Sequence, residues 1–551
     1  MKQTKMLNIV KQILGHNLSK MDVEPENYDP HTTTHEEITL LQLALFLLWI
    51  GATLYYIFRF RKRENGENIV QSLDIADVEK IVQNSDSSKN HEKAIDIGGE
   101  DKPNSSVQKP SSGPITPSLN SFLQHVFIFG LVMAYFYLSD YKKIFPILHK
   151  EYSRDVFLFL VFLVFLISCT FSIKPTADTI LGRDQTEEWK GWMQIMFVWY
   201  HYFAAKEWYN WIRVYIACYV WMTGFGNFSF FWVKKDFSMW RMLKMLFRLN
   251  FLVIFVCIVT KNEYILYYIC AMHTYWFFSV YFFMRILSSW NEHRIKMAMK
   301  FGAYIVFNAL LFEIPGAVAF VFRPLWFIFQ YHDGKHDIMH EWQFRLGLDH
   351  WACLIGMLCA YNYPHFEALM KYLEDVSCTP SELLRKRMIR VGMILTSIAV
   401  CIIWYFTIAK QDKWDYNKLH PYTSFMPILA YIVLRNSFPV LRRYHVHIFA
   451  WLGKITLETY LSQLHIYLQS NAKDLLGYFF LESSNYRLLN FSFATIVYIA
   501  LSYVLFKITN NFSSFLIPKD FKLIFRYTCI GAASFMISFT LAAILKYSHI
   551  M

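Results

Sequence analysis

The sequence predicts an all-α, polytopic membrane protein with about 11–14 transmembrane helices. Hydrophobic residues make up 55% of the 551 residues and charged residues only 17%, too little charge to cover the surface of a soluble domain of this length. Apolar segments long enough to cross about 30 Å of hydrocarbon also recur along the chain. The clearest are 38–58, 122–139, 155–173, 213–232, 246–261, 264–288, 300–325, 389–409, 447–468, 487–508 and 523–546, and shorter candidates are 191–205, 351–370 and 423–436.

The chain is predicted to divide into four regions. Residues 1–37 form a polar N-terminal tail, and 38–58 form the first transmembrane anchor. Residues 59–120 are rich in Ser, Asn, Asp, Glu, Lys and Pro, a composition typical of a disordered loop. Basic residues directly follow the anchor, so we expect this loop on the cytosolic side and the tail on the lumenal side. Residues 121–551 form one multi-helix membrane domain.

The charge and the cysteines argue against several classes of function. The net charge of +12 is spread over short loops, as the positive-inside tendency produces, so no nucleic-acid partner is predicted. The nine cysteines show no CxxC pair and no Cys/His spacing, so no metal site is predicted. The sequence has no Gly-rich phosphate loop, no HExxH and no Gly-x-Ser-x-Gly elbow, which argues against hydrolases and ATP-driven pumps.

Charged residues beside an apolar run give the first candidate site, because charge next to a membrane span is costly and is usually retained for function. Lys190 and His201 are eleven residues apart, so on a helix they share one face and lie about 16 Å apart along its axis. Arg183 and Lys190 are candidates for holding an anionic donor at the surface, and His201 for proton transfer deeper in. Glu187 or Glu188 would orient Lys190 or face water. The alternative is a solvated loop beside an interfacial tryptophan.

Three further polar motifs lie in the membrane domain. Glu458 and His465 are seven residues apart, about two helical turns, so we expect them to share a face and to line one cavity. The segment His340–Asp349, which contains Arg345, opens another apolar stretch, and Asn417–Ser424 is the third motif. The alternatives are helix–helix hydrogen bonds for the histidines and a structural ion-pair loop for residues 340–349.

Counting spans from the first anchor places the loop 174–190 on the cytosolic side and Lys190 at the cytosolic mouth of its helix. One observation argues against this orientation of the helices. The loop 140–154 would be lumenal, although it carries four basic residues. From the residues alone, two classes of function stay open: a membrane enzyme with a histidine base, and a proton-coupled solute transporter.

Several long motifs resemble the Cas1-type family of polysaccharide and sialic acid O-acetyltransferases. The resemblance covers roughly residues 120–520, and the plant reduced-wall-acetylation proteins are the most similar members. The spacing from Lys190 to His201 is also similar to the Arg/Lys-x10-His signature of the wider membrane acyltransferase-3 group. The motifs that carry the resemblance are Arg183–His201, Trp221–Ser229, Phe247–Phe255, His340–Asp349, Leu434–Asn436 and Trp451–His465.

This resemblance implies an acetyl-CoA-dependent O-acetyltransferase in the Golgi membrane that acts on a glycan or polysaccharide. The animal enzyme carries a lumenal SGNH-type domain, and only residues 1–37 precede the first span here. We therefore expect either direct transfer to the acceptor or relay of the acetyl group to a separate lumenal SGNH-type transferase. An acyltransferase that acts on a lipid or a protein is a further alternative. The plant-type motif has Arg where this chain has His350, so we carry no role over to that position.

The resemblance also implies roles for individual residues. His201 would be a general base or a transient acetyl carrier. Glu458 and His465 would serve a later, lumenal step. Acetyl-CoA would be bound by charged residues, with cations at its phosphates: Arg183, Glu187, Glu188, Lys190, Arg345 and Asp349.

Overall fold

The computed structural model describes residues 37–61, 117–329, 338–377, 379–470, 472–479 and 486–548. Nearly all of the predicted tail 1–37 and most of the predicted loop 59–120 lie outside these residues. The first helix continues to Arg61 and the next begins at Leu119, so both extend slightly into the range predicted as loop.

The described chain consists of helices with four short strands. The helices are α1 (Leu40–Arg61), α2 (Leu119–Phe136), α3 (Arg154–Phe171), α4 (Arg183–Phe203), α5 (Tyr209–Lys234), α6 (Met239–Thr260), α7 (Tyr268–Arg285), α8 (Arg294–Phe312), α9 (Ala317–Phe322), α10 (Trp326–Phe329), α11 (Met339–Gly347), α12 (His350–Glu374), α13 (Pro380–Trp404), α14 (Lys413–Thr423), α15 (Phe425–Asn436), α16 (Pro439–Arg442), α17 (His447–Lys454), α18 (Thr456–Ile466), α19 (Arg487–Leu516) and α20 (Phe521–Tyr547). The strands are β1 (Ile147–Leu148), β2 (Ile173–Pro175), β3 (Tyr444–Val446) and β4 (Leu475–Leu476).

The predicted all-α membrane architecture is confirmed. Within the described residues, eight helices are long and apolar enough to span a membrane. Four more are at least 18 residues long, namely α4, α5, α7 and α12. These four carry more polar residues and are more enclosed: 13 of the 21 residues of α4 are buried, against 2 of the 27 in α20. Polar side chains are tolerated in these four helices because protein, and not lipid, surrounds them.

Glycines allow α4 and α17 to touch backbone to backbone. A β-carbon built on Gly191 of α4 would overlap the carbonyl group of Phe449 in α17. A β-carbon on Gly453 of α17 would in turn overlap the carbonyl group of Glu187. Small residues at such crossings let membrane helices approach closely, so this contact fixes the position of α4 in the bundle.

The inner helices α5 and α12 meet in the same way. Gly224 of α5 lies against the backbone of Cys353, and Gly356 of α12 lies against the backbone of Trp221. The two glycines of the Trp221–Ser229 motif therefore differ, since a β-carbon on Gly226 would meet nothing within 4 Å. The first glycine is needed for packing and the second is not.

Short strands close the loops at the two ends of the bundle. At the end where α4 begins, β2 pairs antiparallel with β3, and Arg442 donates hydrogen bonds to Asp178 and Glu374, both at 2.8 Å. Desolvation raises the pKa of Asp178, but the hydrogen bonds and charges of Arg442 and Arg443 outweigh it and lower that pKa below its ordinary value. At the end where α4 stops, β1 pairs antiparallel with β4. We call these ends the α4 amino side and the α4 carboxyl side.

Candidate active site

Lys190 forms an ion pair with Glu187 one turn earlier on α4, with Nζ 2.6 Å from Oε2. The Lys190 side chain is 26% exposed and that of Glu187 is 9% exposed, so the pair lies at the edge of the interior. Arg183 is different, because its side chain is 87% exposed and its Nε is 3.8 Å from Oε1 of Glu187. Glu187 therefore orients Lys190, while Arg183 points mainly to solvent.

Glu188 joins α4 to the strand that precedes α17. Its Oε2 accepts hydrogen bonds from the backbone N–H of Val446 at 2.9 Å and from Arg435 at 3.3 Å. Both partners belong to the α4 amino side, where β3 ends. Glu188 therefore stabilises this end of the bundle, and of the two glutamates only Glu187 is paired with Lys190.

His201 lies near the carboxyl end of α4, about 16 Å along the axis from Lys190. Lys190 and His201 are only partly buried, although most residues of α4 are buried. The two residues therefore lie on the more accessible face of α4. The side chain of Gln463 in α18 and the backbone of Phe197, one turn earlier on α4, lie within hydrogen-bonding reach of His201, and Lys150 lies within electrostatic range. His201 and Gln463 thus form a polar pair at the α4 carboxyl side.

A second histidine, His273 of α7, lies between charged groups of the interior. Its Nδ1 is 2.8 Å from Oγ1 of Thr223 in α5, and the Thr223 hydroxyl donates to the carbonyl oxygen of Tyr219 at 3.0 Å. The Tyr219 hydroxyl donates to the backbone carbonyl of Lys190 at 2.6 Å. His273 is also within electrostatic range of both Lys190 and Asp349. These contacts connect α4, α5 and α7.

Asp349 is fully buried and already has two basic partners. Its Oδ2 accepts a hydrogen bond from Nη2 of Arg213 at 3.0 Å, and its Oδ1 is 3.2 Å from Nε2 of His420. The other ring nitrogen of His420 is 2.9 Å from the Tyr416 hydroxyl. Asp349 therefore holds Arg213 and His420, one at each carboxylate oxygen.

Arg345 borders the same region from α11. Its Nε donates to Glu341 at 2.9 Å, and its guanidinium group lies over the ring of Tyr268, 4.5 Å from the centroid. Tyr268 is in turn within electrostatic range of Arg213. Arg345 and Asp349, both predicted to bind the donor, therefore lie in one region of the interior, but each residue has its own partners.

Glu458 and His465 do not line one cavity, contrary to the prediction from their spacing. Glu458 is fully buried and binds both terminal nitrogens of Arg248 in α6. Its Oε1 also accepts a hydrogen bond from Thr509 of α19 at 2.9 Å. Arg248 and the Thr509 hydroxyl together supply the hydrogen bonds that the buried carboxylate of Glu458 needs.

His465 is also fully buried and uses both ring nitrogens elsewhere. Nδ1 lies 3.0 Å from Asp140 and Nε2 lies 2.8 Å from the hydroxyl of Tyr267. Asp140 belongs to a π-helical segment that extends α2. Different neighbouring helices therefore pair with Glu458 and His465, which is why a shared face on α18 does not become a shared cavity.

Five residues of these networks were not singled out as site residues from the sequence: Asp140, Arg213, Arg248, His273 and Tyr416. The first four are single polar or charged residues at or within apolar runs, and that was the available signal, but the partner of each lies in another part of the bundle. Tyr416 lies in a polar stretch between two apolar runs and gave no such signal.

Comparison with known proteins gives the family. A family model described as the 10 TM Acyl Transferase domain found in Cas1p matches residues 29–529. The N-acetylneuraminate (7)9-O-acetyltransferase of Danio rerio is 33% identical over 408 residues, which cover 71% of this chain and 50% of that protein. The chain thus spans about half the length of this relative, and no solved structure matches it. The many apolar helices and the match over residues 29–529 show that this multi-pass membrane protein belongs to the Cas1-type acyltransferase family.

Proposed function

We propose that this protein transfers the acetyl group of acetyl-CoA to a hydroxyl group of a glycan or polysaccharide in the Golgi membrane. The observation that carries the proposal is the set of polar contacts running inward from Lys190. It passes from the backbone carbonyl of Lys190 through Tyr219 and Thr223 to His273 in the interior of the bundle. The backbone of a cation that can hold an anionic donor is thereby held in place relative to an imidazole that can move a proton, and acyl transfer to a hydroxyl uses both elements.

The α4 amino side is the cytosolic side in this proposal. Its loops and helix ends carry dense basic groups, among them Arg385–Arg387 and Arg442–Arg443, and such groups favour the cytosolic face. The basic loop 140–154 then lies on the lumenal side, where Lys150 is tied down by a hydrogen bond to the carbonyl of Ala472. Acetyl-CoA approaches from the cytosol in this orientation, and the glycan approaches from the lumen.

Lys190 binds the donor in this proposal. Its ammonium group is partly exposed and is oriented by Glu187, so it can contact a phosphate of CoA without being fully desolvated beforehand. Glu187 lowers the net positive charge at this point, which favours a contact that forms and breaks during each turnover.

The acceptor binds toward the α4 carboxyl side. His201 and Gln463 form a polar pair there, and we assign this pair to hydrogen bonds with sugar hydroxyls. The relative from Danio rerio is named for N-acetylneuraminate, so sialic acids are the first acceptors to test and plant-type polysaccharides the second. A separate lumenal SGNH-type transferase is the alternative recipient of the acetyl group.

Purified protein in proteoliposomes tests the proposal. Acetyl-CoA labelled in its acetyl group is supplied on one side, and a panel of sialosides and xylan oligosaccharides on the other. The expected result is an acetyl ester on a sugar hydroxyl together with free CoA. If only an added SGNH-type transferase yields the ester, the relay form of the proposal holds.

Two other outcomes would overturn it. Transfer of palmitoyl but not acetyl groups to a lipid or protein would make the chain a long-chain acyltransferase. Movement of an unmodified solute without any loss of acetyl-CoA would make it a carrier.

A further inference from the structure

The histidines of the bundle differ in which ring nitrogens are already used. His465 has partners on both nitrogens, and so does His420. His201 lies within hydrogen-bonding reach of Gln463 and of the backbone of Phe197. His273 has one hydrogen bond, from Nδ1 to Thr223. Its ring is only partly buried, and no described residue forms a hydrogen bond with its Nε2.

Thr223 is placed to set which nitrogen of His273 carries the proton. Its Oγ1 lies within hydrogen-bonding distance of both the carbonyl oxygen of Tyr219 and Nδ1 of His273, and the carbonyl oxygen can only accept. With the single hydroxyl proton donated to the Tyr219 carbonyl, Oγ1 accepts a hydrogen bond from a proton on Nδ1. The neutral ring then has its lone pair on Nε2. This is the tautomer that a general base needs.

The surroundings of His273 suit a proton transfer close to the donor. Lys190 and Asp349 both act on it electrostatically and with opposite sign. Tyr219, which accepts the Thr223 proton through its carbonyl, also binds the backbone of Lys190 through its hydroxyl. Tyr219 thus contacts both Thr223, which holds the imidazole of His273, and Lys190, which is assigned to donor binding.

We propose that Nε2 of His273 is the general base of acetyl transfer and that Thr223 is its positioning residue; this inference rests on the proposed function. Nε2 takes the proton of the acceptor hydroxyl as its oxygen forms a bond to the thioester carbonyl carbon. The carbon–sulfur bond breaks, and the imidazolium returns the proton to the leaving CoA thiolate. The products are an O-acetyl ester and free CoA, and the imidazole is regenerated.

His273→Asn is the informative variant, because the asparagine amide can still donate to Thr223 but cannot cycle a proton. We expect the turnover rate to fall by about 10²- to 10⁴-fold, the usual contribution of a general base, with the KM for acetyl-CoA and the melting temperature close to those of the parent. Activity of His273→Asn within about threefold of the parent would refute the assignment, because its loss is predicted to be far larger.

Thr223 offers a matched set of variants. Thr223→Val removes the acceptor of the Nδ1 proton and should lower turnover about tenfold, the effect of one lost hydrogen bond, while Thr223→Ser should restore it. Thr274→Val is the control, since Thr274 also donates to the carbonyl four residues earlier but does not bind a histidine. Equal losses in Thr223→Val and Thr274→Val would contradict the positioning role.

The assay also separates this inference from the proposed function. If the parent protein transfers acetyl groups and His273→Asn does so equally well, only the inference fails. If the parent protein transfers no acetyl group to any acceptor or partner transferase, the function and the inference fail together.

Discussion

The two cations at the amino end of α4 have different surroundings, so their removal should have different effects. Lys190 is partly buried and oriented by Glu187, whereas Arg183 is 87% exposed and its charge is screened by water and salt. We expect Lys190→Ala to weaken acetyl-CoA binding about tenfold, the effect of one charge-assisted hydrogen bond. Arg183→Ala should change it by less than about twofold. Titration calorimetry measures both, and equal effects would place the phosphates at the surface near Arg183.

His201 should act on acceptor binding more than on the chemical step. It forms a polar pair with Gln463 at the α4 carboxyl side, where we place the acceptor, so a sugar hydroxyl can hydrogen-bond to this pair. His201→Ala should raise the KM for the acceptor about tenfold, with a smaller change in kcat, and His201→Gln should recover part of this loss. A fall in kcat of about 100-fold at unchanged acceptor KM would instead make His201 the general base.

At the scale of helices, the glycines of α5 give a matched pair of positions. Gly224→Ala would push a methyl group into the backbone of Cys353, whereas Gly226→Ala enters open space. Overpacking of this kind costs about 1–3 kcal/mol, while alanine is the better helix former at a free position. We expect a lower melting temperature for Gly224→Ala and no loss for Gly226→Ala, measured in the same detergent. Equal melting temperatures would argue against the close contact of α5 with α12.

The contact between the π-helical segment Tyr137–Tyr141 and α18 should be structural. His465 is fully buried and bonded at both ring nitrogens, so His465→Ala leaves Asp140 buried with one donor fewer. This costs about 1–3 kcal/mol, more for a charged group. We expect a lower yield and melting temperature, with near-normal transfer per folded molecule. A stable His465→Ala protein that binds acetyl-CoA but does not acetylate would restore a catalytic role.

At the scale of the whole molecule, the orientation in the membrane can be tested with two exposed positions. Lys235 lies on the α4 amino side and His149 on the carboxyl side, and their side chains are 69% and 87% exposed. In sealed membrane vesicles with the cytosolic face outward, an impermeant maleimide should modify Lys235→Cys at once and His149→Cys only after permeabilisation. Cys169 and Cys529, which are exposed, and Cys378, which lies outside the described residues, are first replaced by alanine. The reverse result would invert the proposed orientation.

The sequence determined the fold class because hydropathy acts locally. A run of apolar residues of membrane length forms a helix whatever its neighbours are, since lipid leaves the backbone no other way to satisfy its hydrogen bonds. For the same reason, the charged start of α4 and the eleven-residue spacing from Lys190 to His201 could be found from the residues alone. The family motifs added the chemistry of acyl transfer to this outline.

Only the tertiary structure decided which polar groups meet, because their partners lie on other helices. Glu458 pairs with Arg248, and His465 pairs with Asp140 more than 300 residues away along the chain, so their spacing on one helix could not predict their surroundings. In the sequence His273 is one histidine in an apolar run, and only the fold places its Nδ1 2.8 Å from Oγ1 of Thr223. Helix periodicity states which face a side chain occupies, but the packing of the bundle determines what that face touches.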